Sequence, residues 1–219
     1  MTISPNYQQE AGVVYAEWQL RAMDALAAEG ARRFRAFVRA DDVCLDFGCG
    51  GGRILGCLQA DRKIGIEPNE AAAVVARARG LDVFPRLQEV GPDLVDIVIS
   101  NHALEHCRSP FDELSDMLRV LKPGGRMVLV LPLDDWRRSR RFSPEDRNHH
   151  LFAWTPLLIG NLVSDAGFRL TSVDIVRHAY PPGAGLLWRY LPEFIFDRIC
   201  NVWSVVAHMR QLRVVAERP

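Results

Sequence analysis

The sequence lacks any surplus of charge. Lys and Arg number 27, Asp and Glu number 27, and the formal net charge is zero. That balance argues against a general electrostatic grip on nucleic acid. No apolar run is long enough to cross a bilayer. Residues 1–10 are polar and lack the apolar segment of a signal peptide. The cysteines are few and odd in number: Cys44, Cys49, Cys57, Cys107 and Cys200, with no metal-site spacing. They read as reduced thiols of a cytoplasmic protein. Internal repeats and low-complexity tracts are also missing. What is present is a hydrophobic content of 48% over 219 residues. That is enough for the core of one α/β domain.

The most informative stretch is 43–52, Val-Cys-Leu-Asp-Phe-Gly-Cys-Gly-Gly-Gly. A short apolar run closes on Asp46 and then on Gly48, Gly50 and Gly52. The run suits a buried parallel strand. The glycines suit a tight turn into a helix, where a side chain would block a ligand from the backbone. The dinucleotide fingerprint G-x-G-x-x-G requires a third glycine at position 53, and the chain has Arg53.

Strands are expected near 43–47, 63–66, 82–84, 94–99 and 126–131, and helices near 53–59, 69–79 and 109–121. This alternation implies a parallel sheet wrapped by helices, with ligands at the carboxyl ends of the strands. Alanine-rich residues 8–38 are expected to be helical. Lys122-Pro123-Gly124-Gly125 is expected to form a turn before the fifth strand. A helix over 155–166, a strand over 168–177 and a last strand over 212–216 complete the reading.

Glu67 ends the second strand, 19 positions after Gly48. An acid there can accept hydrogen bonds from both hydroxyls of a ribose. The fourth strand continues as Asp96-Ile97-Val98-Ile99-Ser100-Asn101-His102-Ala103-Leu104-Glu105-His106, and Leu121-Lys122-Pro123-Gly124-Gly125 follows downstream. With D-x-G-x-G-x-G and Gly65-Ile66-Glu67-Pro68-Asn69, these motifs resemble class I S-adenosyl-L-methionine (SAM) dependent methyltransferases. The match is to their small-molecule branch of the type 11/12 kind, over about residues 40–170.

The resemblance implies a Rossmann-like fold: a seven-stranded, mostly parallel sheet with helices on both faces and an antiparallel last strand. It implies one domain over 1–219, with an N-terminal helical segment at 1–40 and an apolar insertion at 178–209. SAM is the implied cofactor. Asp46, Gly48, Cys49, Gly50, Gly52, Glu67, Pro68, Asn101, His102 and Leu104 are the implied cofactor-binding residues. The nucleic-acid amino-methylating pattern Asp/Asn-Pro-Pro-aromatic is absent after the fourth strand, which reads Ser-Asn-His-Ala, and a catalytic Pro-Cys pair is absent too. The expected acceptor is therefore a hydroxyl or amine of a small molecule, such as a sugar or a lipid-linked or natural-product intermediate. No nucleic-acid partner is expected.

Methyl transfer from a sulfonium is an in-line displacement, and a hydroxyl acceptor must also lose a proton. His149 and His150 are the candidate bases, followed by His106. By resemblance, His102, Glu105 and His106 also fall where some ubiquinone-pathway O-methyltransferases place metal ligands, but with His102 in place of an acid. No metal is expected. Trp136-Arg137-Arg138-Ser139-Arg140-Arg141 could grip an anionic substrate or form a solvated loop. Trp18 and Tyr15 could cap the pocket or anchor the core. The apolar segment 186–209 must be covered, by the domain itself, by a second copy or by a membrane surface. Two rival readings are an NAD-dependent oxidoreductase and a non-catalytic SAM-binding module.

Overall fold

The computed structural model describes residues 24–133, 141–143, 146 and 149–219. Trp18, Tyr15, Trp136 to Arg140 and most of the expected 8–38 helix lie outside the described residues. The strands are β1 Val43–Phe47, β2 Arg62–Ile66, β3 Asp82–Phe84, β4 Val95–Asn101, β5 Leu121–Leu133, β6 Arg169–Val176 and β7 Arg210–Glu217. They form one sheet in the order β3-β2-β1-β4-β5-β7-β6. The first five strands in that order pair in parallel, and β7 runs antiparallel between β5 and β6.

Alternation along the strands builds a core on each face. Leu45, Val98, Met127 and Leu129 pack with Leu114 and Met117 of helix α4, Pro110–Val120, and with Ile159 and Val163 of α5, Pro156–Asp165. Their neighbours Cys44, Ile97, Ile99, Val128 and Val130 face the other way. They meet Ala31 and Phe34 of α1, Ala27–Arg35, Leu55 of α2, Arg53–Gly56, and Ala76 of α3, Glu70–Ala78. The helix starts have local causes. The Asn69 carboxamide oxygen accepts from the amides of Ala71 and Ala72, and the Thr155 hydroxyl accepts from Leu158 N–H.

Two elements differ from expectation. Helix α2 spans only Arg53–Gly56, not 53–59. Its last turn closes through Cys57 N–H to Ile54 and Leu58 N–H to Leu55, and the chain must then reach β2 at Arg62. The Lys-Pro-Gly-Gly segment lies inside β5 and not before it. Pairing steps from Val95↔Leu121 to Ile97↔Arg126, so 122–125 bulges out of the ladder. Gly124 takes φ 75° in this bulge, and Lys122 Nζ reaches Asp96 at 2.7 Å.

Between β6 and β7 lie α6, Ala184–Tyr190, and α7, Glu193–Val206. Phe196 and Cys200 of α7 form a satellite core with Leu26 and Ala184, against which Tyr180 and Trp188 pack. A two-pronged bond from Arg32 to Asp197, at 3.2 and 3.0 Å, ties α7 to α1. The outer side of α7 leaves Phe194, Val202 and Val206 exposed. No helix among the described residues is long and apolar enough to cross a membrane.

Candidate active site

The glycine turn follows β1 at the carboxyl edge of the sheet. Gly48, Gly50 and Gly52 all take positive φ, at 77°, 53° and 73°. For Gly48 a second constraint adds to this, because a Cβ there would stand 2.4 Å from the Ala103 methyl. The turn is pinned from beneath by Gly48 and Cys49 amides donating to the Ile66 carbonyl at 2.9 and 3.1 Å. Glu67, just past β2, closes it from the side. One carboxylate oxygen accepts from Gly50 N–H at 2.9 Å and the other from Asn69 N–H at 2.8 Å.

Asp46 ends β1 beneath this turn and is buried. Burial pushes its carboxyl up to about 7, and the charge of Glu67 adds to the shift. Burial also pushes Glu67 up to about 7, against the opposing pull of its two backbone donors. Two acids held this way are poised to accept hydrogen bonds from a ligand's hydroxyls.

Above the turn opens a cleft holding about 760 Å3 of empty space, its mouth included. Its wall brings together Gly48, Cys49, Gly50 and Asn101, all expected from the sequence, with residues that sequence reasoning missed: Leu26 just before α1, Gly30 and Arg33 of α1, Arg53 beside the glycine turn, and Tyr180 after β6. All of the missed residues except Arg53 come from segments remote from the motifs, and only folding brings them to the cleft. Gly52 packs against Leu81 and Ala76, and Leu104 is fully buried in the main core. The cleft, the side-chain-free glycine turn and the acid Glu67 beside it fit the adenosine and ribose of SAM.

The histidines gather beside the end of β4. His102 takes φ 55° while its N–H donates to the Val130 carbonyl at 2.8 Å. Its Nδ1 lies 3.6 Å from an oxygen of the fully buried Glu105, and His106 Nε2 lies 4.0 Å from the same oxygen. The rings of His106 and His150 meet edge to face at 5.1 Å. His149 takes φ 44°, and its N–H donates to Asp146 at 3.1 Å. Burial, with the nearby His150 charge, pushes His106 down to about 4. Burial, then the charges of Arg33, His150 and His106, holds His102 well below the ordinary imidazole range. Both rings are therefore neutral near pH 7. Glu105, His106 and His150 each present one donor atom within 4.8 Å of the others, a spacing a transition metal could bridge.

The sequence profile of a methyltransferase domain family matches residues 18–173. A protein of Stutzerimonas stutzeri named tRNA U34 carboxymethyltransferase is 35% identical over 203 residues, covering 80% of this chain and 62% of that protein. One of the same name from Methylococcus capsulatus is 31% identical over 147 residues, covering 57% of this chain and 44% of that protein. The chain spans between 35 and 62% of the length of such curated relatives.

Among solved structures, a protein in complex with the Haloferax volcanii Trm112 methyltransferase activator aligns with a TM-score of 0.69 at 18% identity, covering 97% of this chain and 99% of that one. Geranyl diphosphate C-methyltransferase of Streptomyces coelicolor aligns with a TM-score of 0.62 at 15% identity, covering 93% and 82%. These two likenesses are of fold.

The comparisons correct two expectations. The small-molecule hydroxyl or amine acceptor is overturned by curated relatives named for a tRNA nucleoside. The expected partners were an anionic small molecule, no nucleic acid, and a membrane or second copy against 186–209. They fall to the same tRNA relatives. The family match likewise displaces the oxidoreductase reading.

Proposed function

The chain belongs to the methyltransferase domain family and is a SAM-dependent methyltransferase, and on that premise we propose that its acceptor is a nucleoside of tRNA. The observation that carries this reading is the 35% identity to the Stutzerimonas protein across 80% of the chain. The whole chain is taken as one catalytic domain, with 178–209 as an insertion before its last strand. A cytoplasmic site of action fits five free cysteines.

When bound, SAM supplies a methyl group made electrophilic by its sulfonium. The protein's part is to hold and orient. Glu67 would receive the ribose hydroxyls on the lone pairs that Gly50 and Asn69 leave open, and Asp46 would shape the pocket beside it. Gly48 to Gly50 let the cofactor lie against the backbone, and Asn101 and His102 flank the donor group at the end of β4. His149 or His150 accepts the acceptor's proton, with the neutral His106 next to them as the alternative base.

The test is incubation of the protein with unmodified tRNA and SAM, with the S-carboxymethyl analogue of SAM in a parallel arm. Digestion and mass spectrometry then read the nucleosides. The expected product is one methylated or carboxymethylated nucleoside. It should be lost when His149 and His150 are both changed to Ala while cofactor binding persists. Unchanged tRNA in both arms, from protein that binds cofactor, would overturn the proposal.

A further inference from the structure

The carboxyl edge of the sheet carries a second surface, outside the cofactor cleft. Helix α4 follows β4 after the single turn Leu104–His106. Helix α5 leads to β6, which runs parallel to β5 because β7 is antiparallel to both. Both helices therefore begin at the carboxyl edge and return to the amino edge. They share one core, through Leu114 and Met117 of α4 and Ile159 and Val163 of α5, so their first turns stand side by side.

Those first turns are apolar where a solvated helix start would be polar. Phe111, second in α4, is 43% exposed, and Leu157, second in α5, is 74% exposed. Leu158 and Leu151 are exposed as well. Leu151 joins this lip to the histidines: its N–H donates to the Glu105 carbonyl at 2.9 Å, and it follows His150, whose ring meets that of His106. The support beneath is firm, since Phe152 stacks on Trp154 at 5.7 Å and Trp154 is buried in the main core. None of these four exposed residues belongs to the wall of the cofactor cleft. They border the place where the acceptor gives up its proton.

An acceptor small enough to be enclosed would leave this lip in water. A nucleoside within a polynucleotide would not. To reach the methyl donor it must leave its stack, and the bases on either side then lose a stacking partner. Aromatic and aliphatic side chains can replace that partner, because every base has a π-face. We infer that Phe111 and Leu157, with Leu158 and Leu151 beside them, form the platform on which the bases flanking the acceptor nucleoside rest. The inference rests on the tRNA reading of the acceptor. The charges at the lip favour base contacts over phosphate contacts: Arg108 and Asp112 flank Phe111, both are exposed, and their charges cancel.

Filter binding of unmodified tRNA across a salt series tests it. Phe111→Ala is expected to weaken tRNA binding about tenfold, and Leu157→Ala at least about threefold. The log–log salt slope should stay at its wild-type value in both, since no phosphate contact is removed. Binding of S-adenosylhomocysteine should stay within about twofold. Phe111→Trp keeps an aromatic face and should bind tRNA as wild type does. Leu157 is exposed, so its replacement leaves the fold intact and keeps the test valid if Phe111→Ala unfolds. Losses below about twofold in both alanine variants would overturn the inference. So would a loss that comes with a shallower salt slope, which would mark a phosphate contact. Sedimentation of the RNA-free protein covers a rival occupant: a dimer that Leu157→Ala dissolves would give the lip to a second copy. Wild-type protein that neither binds nor modifies tRNA would instead remove the tRNA reading, and the inference with it.

Discussion

At the scale of single residues, the buried acids under the glycine turn give the site a pH signature. Asp46 sits near 7 in the folded protein against 3.8 for a free side chain. The folded state therefore holds this proton more tightly than the unfolded chain does. For such a group, stability is highest below the unfolded value and declines as pH rises through the folded one. Asp46→Asn keeps the shape and removes the buried charge. The variant without cofactor is expected to melt higher than wild type at pH 8, with the gain shrinking as pH falls toward 5. Thermal melts across that range check it, and a gain that ignores pH would show that Asp46 ionises in the fold without penalty. The glycines were legible in the sequence because a positive φ and a close approach leave few residue types, whereas Asp46 and Glu67 stood out as acids at the ends of apolar strand patterns. Arg33 was not legible. It is one of three arginines in Arg32-Arg33-Phe34-Arg35, and nothing local separates the buried one from its neighbours.

At the scale of elements, capping explains which boundaries the sequence announced. Asn69 and Thr155 start helices α3 and α5 by accepting backbone N–H groups, and both starts fell within a residue of expectation. Asn69 also connects helix to site, since its own N–H donates to Glu67. That bond comes from the backbone, and the cap comes from the side chain. Asn69→Ala should therefore cost about 1 kcal/mol of stability while leaving cofactor affinity within about twofold. Urea unfolding beside a cofactor titration reads the two effects separately. A large loss of affinity at unchanged stability would place the carboxamide in the pocket instead of the helix start. The boundaries that went astray depend on distant partners. The length of α2 is set by the distance left to β2. The Lys-Pro-Gly-Gly bulge exists because β4 continues to pair on either side of it, which no local pattern reveals.

At the scale of the molecule, the seven-stranded, mostly parallel sheet and the antiparallel β7 followed from the motif resemblance, while the acceptor did not. Net charge is a sum over the whole surface, whereas a phosphate backbone responds to the charges it touches. A chain with formal charge zero still carries Arg137, Arg138, Arg140 and Arg141 within five residues, between β5 and α5. The relatives are also longer, so their RNA contacts need not all have counterparts here. If these arginines meet tRNA phosphates, binding must weaken with salt. At up to about 0.7–0.9 counterions released per contact, four contacts give a log–log slope of about −3. Changing all four to Ala should flatten that slope toward zero and weaken tRNA binding at low salt. Cofactor affinity is the control and is expected to stay within about twofold. Filter binding of tRNA across a salt series, with cofactor titration as the control, makes the comparison. An unchanged slope in the variant would move the RNA contact elsewhere, toward other exposed basic residues such as Arg169 of the edge strand β6.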